Sequence, residues 1–488
     1  MSRTGKIIRR TLALGLLVMV LVVVGLPAVL GWQLSKYHDR YVRQLAVPGL
    51  LQVQDVAFSR GILRSRSRVT LVPDASLCAQ SPCPVITVDS VIHHGPIPFT
   101  APPATPGALQ IGLGVIVSEA DISPLFPQAK FEPPLPPLEL VTRVDFAGAA
   151  DAQLLLPAER LRLTTEEDGG RINMERLQAS LESPPGHSAG RGNLTWPSFK
   201  LVGDAGGQLG LQGLTSDFNG DAQAPLFWRR FGLKLNALQM VDSQGESFSL
   251  QGLLLDATNT AAPKGLLASD FQLRMSRLEA SNREYGPVIL EGEVKGLDVA
   301  SLEAIQAAVT SLKPQALPPE LLFLAISGIY QAHMPALLAA DPELRITRLL
   351  VGTPDGDISA DLQLNLADYS GTGPGTGTDL ADVLKRLELQ ANVRLPAPII
   401  RAMVRQNLQA RQADKPPTPE AIAAAVEALT EAEFLLAKPE ENTFVTQLRI
   451  LNQNLTINGK VRDGWQETLD AFANGESPAV SEPQRALQ

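Results

Sequence analysis

Aromatic side chains, cysteines and histidines are all scarce: of 488 residues, 5% are aromatic, two are Cys and five are His. Each scarcity closes a class of function. The histidines, at positions 38, 93, 94, 187 and 333, fall in no HExxH or comparable spacing, so no metal site is expected. No phosphate loop ending in Lys-Ser/Thr and no G-x-S-x-G elbow occurs, and the glycine-rich run GTGPGTGT at 371–378 lacks the lysine and helix that a phosphate cradle needs. No catalytic residue, no cofactor and no enzymatic activity is therefore expected. Acidic residues outnumber basic ones, 51 against 42, and no basic stripe is interleaved with aromatics, which argues against a nucleic-acid partner. Long hydrophobic runs are lacking too, with one exception, and that excludes a protein with many membrane spans.

The exception begins at Thr11. From Thr11 to Leu30 the chain reads TLALGLLVMVLVVVGLPAVL, twenty residues without charge, and the next charge is Lys36. As a helix rising 1.5 Å per residue, such a run spans a hydrocarbon core of about 30 Å. Arg3, Lys6, Arg9 and Arg10 precede it, so residues 1–10 are expected to be a basic cytoplasmic tail, 11–31 a retained single-pass anchor, and 32–50 a stalk opened by Trp32 at the interface. A cleaved signal peptide is the competing reading, but its apolar core is shorter, roughly 7 to 15 residues. The bulk of the chain then lies across the bilayer from the cytosol. Cys78 and Cys83, in CAQSPC, suit a small-loop disulfide in an oxidising compartment; a metal pair and two free thiols are the alternatives.

What the chain has in abundance is glycine (39), proline (38) and alternation. The expected fold is α+β: the transmembrane helix, then long antiparallel β-meander sheets, with a few packed helices in the C-terminal half. Residues 51–296 form the β-rich region. Its first hairpin runs from Leu51 to Val72 around Ser59-Arg60-Gly61, and Val85 to Ile92 leads into His93-His94-Gly95-Pro96. From Pro96 to Pro137 prolines are so frequent that the stretch reads as loop, edge or connector rather than central strand. From Leu138 to Gly296 apolar and polar residues alternate, with turns such as Asp242-Ser243-Gln244-Gly245. Residues 297–472 mix helices and strands. Ser301 is placed to cap a helix, Pro319 opens an apolar one that Pro335 should bend, and Thr418-Pro419-Glu420 starts another expected to reach Leu436. Thr353-Pro354-Asp355-Gly356 and Asn458-Gly459 mark hairpins. Residues 473–488 read as a disordered tail. His93 and His94 are ligand candidates, since such a turn can hold an imidazole out to a small molecule; a structural turn is the simpler account.

Taken in order, the N-terminal run, Phe58-Ser59-Arg60-Gly61, His94-Gly95-Pro96, Thr353-Pro354-Asp355-Gly356 and Leu455-Thr456-Ile457-Asn458-Gly459 resemble the YdgA-like family of bacterial envelope proteins. The resemblance covers both ends of the chain, not its middle. It implies an inner-membrane anchor with a periplasmic body and supplies no catalytic residues. Two roles follow as expectations. An apolar sheet face too long for the available helices to cover would take lipid or another hydrophobic client. Alternatively, exposed strand edges would recruit other envelope proteins.

Overall fold

The structure, a computed structural model, describes residues 26–45, 51–73, 83–98, 111–126, 128–165, 169–185, 189–221, 228–280, 283–311, 319–338, 340–366, 386–411 and 416–462. The basic tail, residues 11–25 of the expected anchor, Cys78, the GTGPGTGT run and residues 473–488 lie outside them. Antiparallel strands dominate, with a few helices, and among the described residues no helix is long and apolar enough to cross a membrane. The chain falls into two compact units: 1–223 with 241–245 and 310–322, and the remainder. The division thus falls well before residue 296.

The first unit opens with helix α1 (Leu26–Leu45) and carries twelve strands: β1 (Leu51–Ser59), β2 (Arg64–Pro73), β3 (Ile86–His94), β4 (Gly114–Asp121), β5 (Lys130–Glu132), β6 (Leu138–Val144), β7 (Ala150–Leu156), β8 (Glu159–Thr164), β9 (Gly169–Met174), β10 (Leu177–Ser183), β11 (Ala189–Gly203) and β12 (Gln208–Asp221). They pair in the order β1-β2-β3-β4-β6-β7-β10-β11-β12. A branch β5-β8-β9 joins β11 as well. β12 occupies one edge of β11, so β10 and β9 share the other, at 191–195 and 199–203 respectively. Pro197, with no N–H to donate, falls in the gap between them.

Two expectations are corrected in this unit. β4 is a central strand between β3 and β6, although it sits inside the proline-rich stretch. The reason is spacing: from 107 to 123 there is no proline, and GVIVSEAD keeps every ladder donor. The second correction concerns the stalk. Residues 32–45 belong to α1, which packs on β1 to β4. Leu30, Leu34, His38 and Val42, four apart, form its buried stripe. Leu30 and Leu34 join Ile92, Leu113, Ile116 and Val144; Val42 joins Val69, Leu71 and Ile86. Leu30 is therefore a core residue and not the end of a span. Ser67, Ser90 and Ser118 are buried and directly opposite one another on successive strands. Such small side chains on the covered face let a helix lie close.

The second unit holds β13 (Trp228–Val241), β14 (Ser247–Ala262), β15 (Leu266–Met275), β16 (Arg277–Ala280), β17 (Arg283–Tyr285) and β18 (Val288–Asp298). Helices α2 (Val299–Ser311) and α3 (Pro319–Leu338) follow, then β19 (Glu343–Thr353), β20 (Gly356–Leu366), β21 (Leu387–Pro396), α4 (Ala397–Arg411), α5 (Pro419–Glu431), β22 (Leu436–Lys438), β23 (Thr443–Leu451), β24 (Asn454–Ile457) and β25 (Lys460–Val461). The main ladder is β14-β15-β18-β19-β20-β21-β23-β24-β25. The turns follow their chemistry. Gly356, at φ 117°, closes the β19–β20 hairpin, and Asn458 and Gly459, at φ 51° and 83°, close β24–β25. The Thr418 hydroxyl accepts from the Ala421 N–H and caps α5. α2 is capped differently: the Asp298 carboxylate accepts from the Ser301 N–H at 2.7 Å, leaving Ser301 inside the helix. α3 continues through Pro335, and α5 stops at Glu431 rather than Leu436.

Candidate functional site

His93 and His94 both lie within β3 and point to opposite faces, as neighbours in a strand must. Both are buried, so the Gly95-Pro96 turn presents neither imidazole to a ligand. That corrects their nomination. His94 sits on the face that α1 covers, and a methyl group placed on Gly31 of α1 would run into its ring. Its Nε2 is 3.0 Å from the Ser65 hydroxyl and its Nδ1 2.8 Å from the Ile62 carbonyl. The carbonyl only accepts, which assigns the proton to Nδ1 and makes the Ser65 hydroxyl the donor to Nε2. Burial pushes the His94 imidazole below its ordinary value, opposed by the Ile62 carbonyl and reinforced by Arg60. Burial also lowers His93, with Arg64 and His94 adding to it. This is a neutral, satisfied packing layer; Ser65 and Gly31, its other members, carry no signature in the sequence. Cys83 is disulfide-bonded, and Cys78 lies outside the described residues.

Two cavities lie over polar faces. One, of about 460 Å³, covers Arg143, Asp151, Glu182, Arg191 and Asn219, which stand opposite one another across β6, β7, β10, β11 and β12. The other, of about 410 Å³, covers Ser359, Asp361, Asn392 and Arg394. Both are lined by charges of both signs. Among the described residues no three His, Cys, Asp or Glu side chains gather as metal ligands.

The more distinctive surface is the opposite face of the second unit. Register puts apolar residues opposite apolar residues over strand after strand. One row runs Leu255, Leu273, Leu290, Leu349, Ala360, Val393. Beside it run Ala257, Phe271, Gly292, Ile346, Leu362, Ala391, Leu448 and Ile457. A third row holds Val294, Leu344, Leu364, Leu389, Ile450 and Leu455. The ring of Phe271 lies where a side chain on Gly292 would stand, so it fills that gap in the second row. With strands about 4.8 Å apart, the five to seven intervals in a row make the rows roughly 24 to 34 Å long. The other face is charged: Asp270, Glu293 and Arg345 stand in one row, and Arg274 bonds Glu291 at 2.6 Å. Coverage is uneven. Ile450, Leu455 and Ile457 are buried with Phe434 packed against them, and α4 packs on β21 and β23. From β14 to β20 the row residues are only half-buried.

A family model described as a bacterial protein of unknown function, DUF945, matches residues 9–461. The chain belongs to this family. The DUF945 match takes in both units and opens before Thr11, so the uncharged run lies within it. No curated protein and no solved structure matches the chain. Membership in DUF945 assigns no residue a role, and the reading of function rests on the surfaces just described.

Proposed function

We propose that the chain is a non-enzymatic, YdgA-like member of DUF945, anchored in the bacterial inner membrane with its bulk in the periplasm. There it shelters a lipid acyl chain, or a client of like apolarity, against the face of its second unit. The observation that carries this is the set of aligned Leu, Val, Ile and Phe rows, half-buried from β14 to β20. The half-buried part of the rows, four strand spacings from β14 to β20, runs roughly 19 Å, a length on the scale of one extended acyl chain. A contiguous apolar surface of this kind marks a ligand or partner site. The anchor is drawn in slightly from the sequence expectation. Because Leu30 is a core residue, the bilayer segment ends before it, and residues 11–28 still reach about 27 Å as a helix.

The test is lipid analysis of the full chain purified by native extraction. Leu290→Lys places a cation in the middle of the Leu255–Val393 row, where a lipid-facing lysine costs about 2–4 kcal/mol. Co-purifying lipid should fall by more than tenfold. Arg345→Glu, on the charged face, should leave it unchanged. Wild-type protein free of lipid, together with discrete protein crosslinks in cells, would replace this reading with that of an anchored scaffold.

A further inference from the structure

We infer that one end of the first unit is a membrane-contact rim, on which the unit rests against the bilayer that its own N-terminal segment enters. The inference rests on the anchored reading above and adds to it an orientation and a second attachment.

The backbone brings five segments to this end. The His94 N–H bonds the Leu63 carbonyl, Gly95 bonds Leu113, Gly112 bonds Pro96, and Leu113 bonds Val144. The turn between β6 and β7 is closed there by the Asp145 N–H on the Ala149 carbonyl. The fifth segment is the start of α1, held by Leu30 and Leu34 against Leu113 and Val144. Each segment turns a large apolar side chain outward: Val29 and Trp32 from α1, Ile62, Ile97, Ile111 and Phe146 from the connections, all exposed. A soluble loop end has no use for six such side chains, and their exposure is unfavourable at about 25 cal/mol per Å² of apolar surface. Pushed into the headgroup boundary, all six leave water together.

Three further features select a bilayer over a protein as occupant. The residues preceding α1 carry no charge back to Thr11, so this end adjoins the chain's one bilayer-length run. Trp32 has the Lys36 ammonium over its ring at 3.7 Å, and a tryptophan with a lysine is characteristic of the membrane interface. Arg60 and Arg64, both exposed, flank Ile62 in a chain whose net charge is −9. Basic groups concentrated at this end suit anionic headgroups. The carboxylate at the rim, Asp145, is tied to the Ala149 N–H at 2.8 Å.

The experiment uses the full chain in vesicles of equal parts phosphatidylethanolamine and phosphatidylglycerol with brominated acyl chains. A nitrobenzoxadiazole dye is attached to Ile62→Cys, Ile111→Cys or Phe146→Cys. Controls are Val85→Cys and Leu125→Cys, exposed residues at the other end of β3 and β4. Rim dyes should be quenched several-fold more than the controls. Equal quenching at both ends, with the protein still sedimenting with the vesicles, would overturn the rim and leave the anchor standing. Protein that fails to sediment would overturn the anchor, and the rim with it.

Discussion

Replacing Leu34 by alanine tests whether α1 is a docked element or a free stalk. Leu34 is 0% exposed, and its neighbours Ile92, Leu113, Ile116 and Val144 come from β3, the residue before β4, β4 itself and β6. Removing a buried leucine side chain costs about 2–5 kcal/mol, depending on how far the surroundings close over the gap. Closure is limited in this case. The helix already lies so near the sheet at Gly31 and Gly114 that a Cβ at either would overlap His94 or Leu34. The cost should therefore reach about 3 kcal/mol, which shifts the docked-to-undocked ratio by about two orders of magnitude. Hydrogen exchange on the full chain reads this directly, as faster exchange across residues 26–45. Trp32→Ala is the control, since Trp32 lies on the same helix and is half exposed; it should change docking by less than about 0.5 kcal/mol. If Leu34→Ala and Trp32→Ala exchange alike, α1 is not held by this cluster and the core assigned to Leu30 and Leu34 is wrong.

The two buried histidines, one on each face of β3, make the first unit sensitive to acid. His93 and His94 are both held below their ordinary value, chiefly by burial, so between the folded and unfolded values the unfolded chain binds more protons. Stability should then be complete above about pH 6.5 and fall as the pH drops through the folded value. Protection of residues 26–45 measured at about pH 7.5 and 5.5 shows it, and His94→Gln should flatten the difference. In the second unit, Asn458→Ala removes the side chain that accepts from Gln447 N–H at 2.7 Å and donates to the carbonyls of Glu433 and Phe434 at 2.9 and 3.2 Å. It also puts alanine at φ 51°. Urea unfolding should report a loss of about 2–3 kcal/mol, and a loss under about 0.5 kcal/mol would show that these bonds do not hold the β22–β24 corner.

Local chemistry was readable from the chain wherever a residue acts within a few positions of itself. The alternation of Ile358 to Leu366, the Thr353-Pro354-Asp355-Gly356 and Asn458-Gly459 hairpins, and the Thr418 cap all appear where the residue types place them. Legibility fails where two local signals compete. Asp298 and Ser301 both suit a helix cap, and only the end of β18 decides between them. Prolines on either side hid β4, whose own residues are sound strand formers. At α1 two patterns overlap: uncharged residues continue to Leu30, while the four-residue stripe of Leu30, Leu34, His38 and Val42 begins there. Hydropathy follows the first pattern and so carries the expected span up to Leu30, a residue of the core. The His-His-Gly-Pro run reads as a turn, but both histidines belong to β3 and are buried there on opposite faces.

The apolar rows belong to a different category, because alternation gives a face to each strand but not the register between strands. The ladder shifts at 267/269, 291/292 and 346/349, and each shift changes which residues stand opposite one another. A one-residue slip would send the apolar set of a strand to the other face. β19 illustrates the consequence: Ile346 and Leu349 are three apart, and a strict two-residue count would separate them. The irregularity at that point returns both to the apolar face, opposite Leu362 and Ala360. The continuity of that face is thus set by these bulges as much as by composition. A surface kept apolar through three register shifts, while α4 packs beside β21 and β23, is what a hydrophobic occupant along β14 to β20 would require.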